Sequence, residues 1–409
     1  MQTSQKDKLI LQELAKQYAL LATLPVQKER RDRARDINDL KPRRPIVWLH
    51  EIPWHEMNMD DELTLQCEGK AEREMEWHFR HNFYRWKHIQ ADTILENEYS
   101  IYKAFTNTGN GLTINEHVKA TDDKNNIISH YYLDQLDTME KVEALKTPVI
   151  TAHPEQDAEK MAWAQEILGD ILPVRLRGHG IYHAPWDRIP RFRGVTPVME
   201  GLIDEPELLH ATIKRFTENA QAEFKQMEAL GLYDPAVEHI HCTPAYTSDL
   251  PNTEPVKLSG IWYRGMAQMF SDISPKMWKE FELDYAQPLM AQCGLVYYGC
   301  CEGLANKIPM LKKIPNMRKI GVSPWTNPES CAEQIGGDYV YAFKPNPAHV
   351  SGDFAEDAVR AEAKRVIETC RANNCAYEFV LKDISTVTYK PQNLINWVKT
   401  VGEVIDGYY

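Results

Sequence analysis

Strand-like runs that alternate with helices over the second half of the chain most constrain how it can fold. Each run is short, apolar or β-branched, and ends in residues such as Gly, Pro, His, Cys or Asp. With an earlier run at 46–52, the runs lie at 148–153, 173–180, 237–244, 294–300, 318–324, 338–343 and 377–383. Alternating strands and helices build a parallel sheet, and about eight strands predict a closed (β/α)8 TIM-like barrel rather than an open sheet.

Helix patterns and turn signals predict three parts in the 409 residues. Residues 1–44 are expected to form an N-terminal helical arm, and 151–409 the barrel. Between them, residues 45–150 carry turn signals, NTGNG and DDKNN, between short β-like stretches, which predicts a small inserted β-rich region. Within the barrel, Val359, Ala363, Val366 and Cys370 recur at helical spacing and predict one buried helix face.

Composition limits the classes of partner. The formal net charge is −12, so the chain is not expected to bind nucleic acid through its overall charge. No apolar run approaches the roughly 18 residues of a membrane span, and the polar start lacks a signal-peptide core, so a cytoplasmic protein is expected. The scattered cysteines are expected to be reduced thiols. A homo-oligomer is compatible with this composition, which does not fix the number of copies.

Barrel enzymes carry their chemistry at the C-terminal ends of the strands, so the ends of the runs hold the candidate residues. One run ends in Cys300, Cys301 and Glu302, whose sulfur and carboxylate donors suit zinc. The alternative is that these cysteines are small packing residues. Another run contains His239 and His241, which share one strand face and can bind an ion or a substrate, or serve as hydrogen-bonded core residues.

Further strand ends supply candidates for substrate contact and acid–base chemistry. Asp383 and Lys344 end adjacent strands, where they can orient or protonate an oxygenated ligand or form a structural salt bridge. His179 flanks another strand end and can contact substrate or shape a loop. Tyr298 and Trp325 can lie against a flat ring, or pack under a loop.

Six segments together resemble the uroporphyrinogen decarboxylase superfamily, and its corrinoid-linked methyltransferase branch is the more similar one. They occur in the family's order and cover over half of the chain. The segments are WDRIPRFRG, SPKMWKEFELDYAQPL, YYGCCEGL, IPNMRKIGVSPW, FKPNPA and LKDIST.

The resemblance implies a (β/α)8 barrel and a zinc site formed by a His-x-Cys motif and a late Cys. The motif falls on Tyr298-Gly299-Cys300, so Tyr replaces His, and the late Cys position falls within 383–385, where no Cys occurs. Only Cys300 matches directly, and Cys301, Glu302 or His241 would have to replace the lost donors. The Arg-rich N-terminal phrase of the decarboxylases is also missing from residues 1–100.

We therefore expect a methyltransferase that moves a methyl group from a small donor to a corrinoid. The donor can be a methoxylated aromatic compound, a methylamine or a methyl ether, and zinc, or an acid such as Asp383 or Glu302, is expected to assist its leaving group. No Asp-x-His-x-x-Gly corrinoid-anchoring motif occurs in the chain, so the corrinoid is expected on a partner protein. The alternatives are a decarboxylase of a tetrapyrrole carboxylate and a barrel that binds a ligand without catalysis.

Overall fold

The chain is described by a computed structural model that covers residues 3–120 and 128–409. The whole DDKNN turn signal, at 122–126, lies outside the described residues. In the N-terminal part, the elements are α1 (Gln5–Ala22), α2 (Pro25–Asn38), β1 (Ile46–Leu49) and α3 (Lys70–Tyr84). The Ser4 side chain caps α1 by accepting a hydrogen bond from the Asp7 amide, and Pro25 begins α2 at the first helical position, where proline is favoured.

The N-terminal arm is two helices packed onto the rest of the chain. Leu11, Ala15, Tyr18 and Ala22 follow one another at helical spacing and are all buried on one face of α1. This face packs against a core that includes Phe79 of α3. Helix α1 therefore packs in a core shared with α3 and α5, whereas α2 packs against the central sheet through Ala34 and Ile37.

Short strand pairs follow in the region where turn signals predict β structure. The elements are β2 (Tyr99–Tyr102), β3 (Phe105–Asn107), β4 (Glu116–Lys119), β5 (Ser129–Tyr132), α4 (Met139–Glu143), β6 (Ile150–Ala152), α5 (Pro154–Leu168) and β7 (Val174–Arg177). Strands β3 and β6 pair antiparallel, as do β4 and β5, whereas β2 and β7 pair parallel.

Helices and strands alternate in the remaining chain. The helices are α6 (Pro185–Arg188), α7 (Pro190–Arg193), α8 (Val195–Asp204), α9 (Pro206–Ala229), α10 (Pro275–Trp278), α11 (Asp284–Met290), α12 (Ile308–Leu311), α13 (Pro328–Ile335), α14 (Ala348–Ser351), α15 (Glu356–Ala372) and α16 (Gln392–Asp406). The strands are β8 (His239–Ile240), β9 (Thr243–Pro244), β10 (Trp262–Gly265), β11 (Leu295–Tyr298), β12 (Met317–Val322), β13 (Val340–Phe343) and β14 (Ala376–Leu381).

A parallel sheet of six strands forms the centre of the fold, in the order β1-β14-β13-β12-β11-β10. Its strands are buried along their whole length or nearly so, as expected when helices cover a parallel sheet. The predicted parallel sheet is confirmed. Within the described residues, however, backbone pairing does not close it into an eight-stranded barrel, so the barrel is not confirmed.

Three of the predicted runs do not join the six-stranded sheet. Run 148–153 contributes β6, which pairs antiparallel with β3, and run 173–180 contributes β7, which pairs with β2. Run 237–244 forms the short hairpin of β8 and β9. The sixth strand of the sheet is β10, which the sequence patterns do not predict because only three apolar or aromatic residues precede its Arg264.

Most helices pack on one face of the sheet, whereas α2 packs on the other face near β1 and β14, and polar side chains occupy part of that second face. Val359, Ala363, Val366 and Cys370 of α15 are all buried, which confirms the predicted helix face. On the sheet, Lys319 of β12 and Glu378 of β14 form a fully buried ion pair with Nζ 3.0 Å from Oε2. No helix in the described ranges is long and apolar enough to cross a membrane.

Candidate functional site

Three sulfur and nitrogen donors meet at the C-terminal ends of the strands. Donor atoms of His241, Cys242 and Cys300 all lie within 4.8 Å of one another. Both cysteines are fully buried, and His241 is half-buried. Two thiolates and one imidazole match the ligands that zinc prefers, and three protein ligands leave a fourth position open for another molecule. The three residues therefore fit a catalytic zinc ion.

Backbone conformation explains why these donors converge. His241 follows directly after β8 and has a φ of 52°, a left-handed conformation that ends the strand. Adjacent side chains of a regular strand point to opposite faces, but this turn brings the donor atoms of His241 and Cys242 within 4.8 Å of each other. Gly299 has a φ of 92° after β11, and a Cβ there would lie 2.2 Å from Leu304 Cδ1, so the turn before Cys300 requires glycine.

The Lys382 ammonium lies directly beside the three donors. Its Nζ is 2.8 Å from Cys300 Sγ, 3.5 Å from His241 Nε2 and 3.0 Å from Asp383 Oδ1. Burial lowers the pKa of Lys382, but Cys300, Cys242 and Asp383 outweigh it, and the pKa lies above its usual value. The ammonium thus provides hydrogen-bond donors next to the open ligand position.

Asp383 forms the exposed side of the site. Its Oδ2 accepts a hydrogen bond from Cys301 Sγ at 2.6 Å, and its amide donates to Glu51 Oε2 at 2.9 Å. The side chain is 40% exposed, so a substrate can reach it. Burial raises the pKa of Asp383, but the charge of Lys382 and the hydrogen bonds with Glu51, Cys301 and Lys382 together outweigh burial, and the net pKa is lowered. Asp383 is therefore an ionised acceptor that holds Cys301 and Lys382 in place.

Cations surround one aromatic ring below the donors. The Arg264 guanidinium lies 4.1 Å from the Tyr297 ring centroid, and the Nζ atoms of Lys344 and Lys319 lie 5.5 and 5.6 Å from it. Among the described residues, Lys344 Nζ has no hydrogen-bond partner although the side chain is buried. Lys344 therefore lies beneath the site and does not pair with Asp383, which pairs with Lys382.

Glu302 and Tyr298 occupy supporting positions. Glu302 is buried and accepts hydrogen bonds from the Cys300 amide at 2.7 Å and the Ala267 amide at 3.1 Å, so it fixes the loop and is not one of the three donors. The Tyr298 hydroxyl donates to Glu282 Oε1 at 3.0 Å in the core between sheet and helices. The structure therefore places Tyr298 away from the three donors.

The other residues predicted for substrate contact lie outside the donor group. The ring of His239 lies 5.2 Å from that of Trp48, and because β8 ends after Ile240, His239 and His241 do not act from one strand face. His179 makes a hydrogen bond of 2.8 Å to the Lys103 carbonyl and packs against other rings. Trp325 is 70% exposed in the loop after β12, so it does not pack under that loop.

Sequence reasoning missed Cys242 and Lys382 as members of the site. Cys242 directly follows a predicted ligand, but the alternation of side chains in a regular strand argues against adjacent ligands. Lys382 is next to Asp383 in sequence, and only the folded chain places its ammonium 2.8 Å from the Cys300 sulfur. A His-Cys pair at the end of a strand-like run was the available signal for Cys242.

The chain shows only a weak similarity to known proteins. No protein-family model matches the chain, and no curated protein matches it. Among solved structures, the chain is similar to a methyltransferase from Methanosarcina mazei, with 11% sequence identity and a TM-score of 0.48. The alignment covers 93% of this chain and 99% of that chain. At that level the likeness carries no conclusion about activity, so the function is inferred from the residues of this chain.

Proposed function

We propose that the protein is a zinc-assisted methyltransferase that moves a methyl group from a small donor to a corrinoid carried by a partner protein. The single observation that carries the proposal is the convergence of His241, Cys242 and Cys300 within 4.8 Å. In this proposal His241 and Cys242 would supply the zinc ligands that the family's motif positions lack in this chain. Cys300 belongs both to the family's zinc motif and to the proposed group of three ligands.

Methyl transfer breaks the bond between the methyl carbon and its oxygen, nitrogen or sulfur, while a bond from that carbon to cobalt forms. A zinc ion held by His241, Cys242 and Cys300 would supply Lewis acidity that makes the heteroatom a better leaving group. The residues of the chain orient the donor molecule. Lys382 offers hydrogen bonds beside Cys300, and the exposed carboxylate of Asp383 can accept a hydrogen bond from the donor molecule.

The supporting residues keep the site in one geometry. Glu302 fixes the backbone of Cys300 by accepting a hydrogen bond from its amide, and Asp383 accepts a hydrogen bond from Cys301, whose Sγ lies 3.9 Å from the Cys300 Sγ. Substitution of a residue that orients a metal ligand in this way commonly lowers metal affinity tenfold to a hundredfold. In this proposal Glu302 is thus a positioning residue, whereas the sequence pattern suggested a ligand or an acid.

Metal analysis of the full chain tests the proposal. We expect about one zinc per chain, with Cys242→Ser and Cys300→Ser each losing it. Cys293→Ser is the matched control, because Cys293 is also buried but its sulfur faces the Leu289 carbonyl at 3.7 Å. Protein that holds no zinc and transfers methyl groups at the full rate would contradict the proposal.

An activity panel separates the alternatives. Methoxylated aromatics, methylamines and methyl ethers are offered with reduced corrinoid, and formation of methylcobalt is followed by visible absorbance. Release of CO₂ from a tetrapyrrole carboxylate would instead identify a decarboxylase. Binding of a donor without turnover of any substrate would indicate a barrel that has lost its catalysis.

A further inference from the structure

Glu51 lies at the same edge of the sheet as the three donors, and the proposed function gives it no role. Strands β1 and β14 pair with Leu49 beside Leu381, the last residue of each strand. Two residues further along each strand, the same register places Glu51 beside Asp383, and the Asp383 amide donates to Glu51 Oε2 at 2.9 Å. Because neighbouring strands lie about 4.8 Å apart, strand pairing itself holds these two carboxyl groups together.

The backbone of both residues adopts a conformation that few residues other than glycine adopt. The φ angle is 54° at Glu51 and 56° at Asp383. This left-handed region is unfavourable for a residue with a Cβ, and strained residues of this kind are concentrated at functional sites. Two strained acidic residues at equivalent positions of paired strands therefore point to a function for the pair of carboxyl groups.

The surroundings of the two carboxyl groups differ. Lys382 Nζ lies 3.0 Å from Asp383 Oδ1 but 3.7 Å from Glu51 Oε2. Burial raises the pKa of Glu51, the charge of Lys382 lowers it and contact with Asp383 raises it again, so the net pKa is raised. The net pKa of Asp383 is lowered. Two touching carboxyl groups whose pKa values are pushed apart share one proton, which here belongs on Glu51.

Glu51 is close to the three donors and open to solvent. Only the Lys382 ammonium lies between, with Nζ 2.8 Å from Cys300 Sγ and 3.7 Å from Glu51 Oε2. The side chain of Glu51 is 39% exposed, so an incoming molecule can reach its carboxyl group. A molecule bound beside Cys300 can therefore receive a proton from Glu51.

We propose, on the basis of the proposed methyl transfer, that Glu51 is the general acid of the reaction and that the methyl donor is a methyl ether. The bond between the methyl carbon and the ether oxygen breaks, and its electron pair stays on the oxygen. That oxygen takes the proton of Glu51. The methyl carbon forms its new bond with the electron pair of the reduced corrinoid, and water returns a proton to Glu51.

A proton donor at this position distinguishes methyl ethers from methylamines. An ether that loses its methyl group leaves as a basic alkoxide or phenoxide unless a proton reaches the oxygen, and general acids supply that proton. A methylammonium cation instead leaves as a neutral amine and needs no proton. The carboxyl group of Glu51 therefore favours an ether as the substrate.

Difference infrared spectroscopy of the full chain, without corrinoid or donor, tests where the proton lies. The spectrum of the wild type minus that of Glu51→Gln at about pH 6 should contain the C=O band of a carboxylic acid. With its ordinary pKa of 4.5, Glu51 would be ionised at this pH and would give carboxylate bands instead. Glu74→Gln, on the exposed side of α3, is the matched control and should show the loss of carboxylate bands only.

Methyl transfer from anisole and from 4-nitroanisole tests the role in the reaction. Glu51→Gln should lower kcat/KM for anisole about a hundredfold to ten-thousandfold, the range of general acid catalysis. For 4-nitroanisole, whose leaving group is much less basic, we expect a loss of less than about tenfold. A purely structural role would slow both ethers alike. Glu51→Asn also removes the acid and tolerates the left-handed φ, so it should show the same selective loss if Glu51→Gln does not fold.

Three results would overturn the proposal. The first is an infrared difference spectrum that contains carboxylate bands and no band of a carboxylic acid. The second is an equal effect of Glu51→Gln on both ethers, and the third is methyl transfer by the wild type from methylamines but from no methyl ether. A wild type that transfers no methyl group from any donor would contradict the proposed function instead. The infrared measurement uses no methyl donor, so the two failures are distinguishable.

Discussion

Glu282 offers a prediction about how stability depends on pH. The side chain is fully buried, Oε1 accepts from Tyr298, and Oε2 has no partner in the described part of the chain. Burial raises the pKa of Glu282 to about 8, with repulsion from Glu302 and Asp187 adding to it. The folded protein therefore binds a proton that the unfolded chain, with a pKa of 4.5, releases.

Proton linkage gives the direction and the size of the effect of pH on the free energy of unfolding. Below pH 4.5 both states are protonated and the group has no effect on the free energy of unfolding. Above it, stability falls by about 1.4 kcal/mol per pH unit until the folded pKa near 8 is reached. Glu282→Gln imitates the protonated form, so at pH 7 the variant should be more stable than the wild type by about 3 kcal/mol.

Thermal unfolding at several pH values measures this difference. An unfolding entropy of about 2.1 cal/mol/K per residue gives about 0.9 kcal/mol/K for 409 residues. We therefore expect the Tm of Glu282→Gln to exceed that of the wild type by about 3 to 4 °C at pH 7 and by less than about 1 °C at pH 5. The exposed Glu333→Gln on α13 is the control.

A pH-independent difference between pH 5 and 8 would refute this reasoning. So would a lower Tm for Glu282→Gln at pH 7, because it would mean that the carboxylate is ionised and stabilising in the folded protein. The refolded variant must keep the wild-type circular dichroism spectrum for the comparison to hold.

The remaining predictions concern the site and the sheet. Asp383→Asn should lower turnover about a hundredfold with little change in Tm, measured by methyl transfer and thermal unfolding; normal turnover with a much lower Tm would make the residue structural. Glu302→Gln cannot accept from both amides, so zinc affinity measured by competition with a chromophoric chelator should fall about tenfold to a hundredfold; unchanged affinity would remove its positioning role. Lys319→Met should destabilise the protein by about 3 to 5 kcal/mol in denaturant unfolding by leaving Glu378 unpaired, and Glu378→Leu in the same chain should restore stability; an undiminished loss in the double variant would contradict this.

The sequence patterns predict strands well where the strands are buried on both faces. Runs 318–324, 338–343 and 377–383 all contain strands of the parallel sheet. Runs 148–153 and 173–180 are also strands, but they pair elsewhere. Apolar and β-branched residues favour a buried strand but do not specify which strand it pairs with. Whether the sheet closes into a barrel was therefore not predictable from these runs.

Only part of the site was predictable from the sequence, because some of its residues come together only in the folded chain. The patterns single out Cys300 and His241, because each lies at the end of a strand-like run. Cys242 joins the site because His241 has a left-handed φ. Residues other than glycine rarely adopt this conformation, so the sequence gives little indication of it. The position of Lys382 beside the donors depends on contact between strands far apart in the sequence.

The pairing of β1 with β14 has a consequence for synthesis of the protein. Ile46 of β1 lies beside Glu378 of β14, so the first strand of the sheet has no partner until the segment that carries β14 has been translated. At about 5 to 20 residues per second, this interval lasts on the order of 20 to 60 seconds. During that time the apolar run IVWL is an unpaired strand edge, the kind of surface on which nascent chains aggregate. A chaperone that shields β1 until β14 has been translated is therefore expected to favour folding over aggregation.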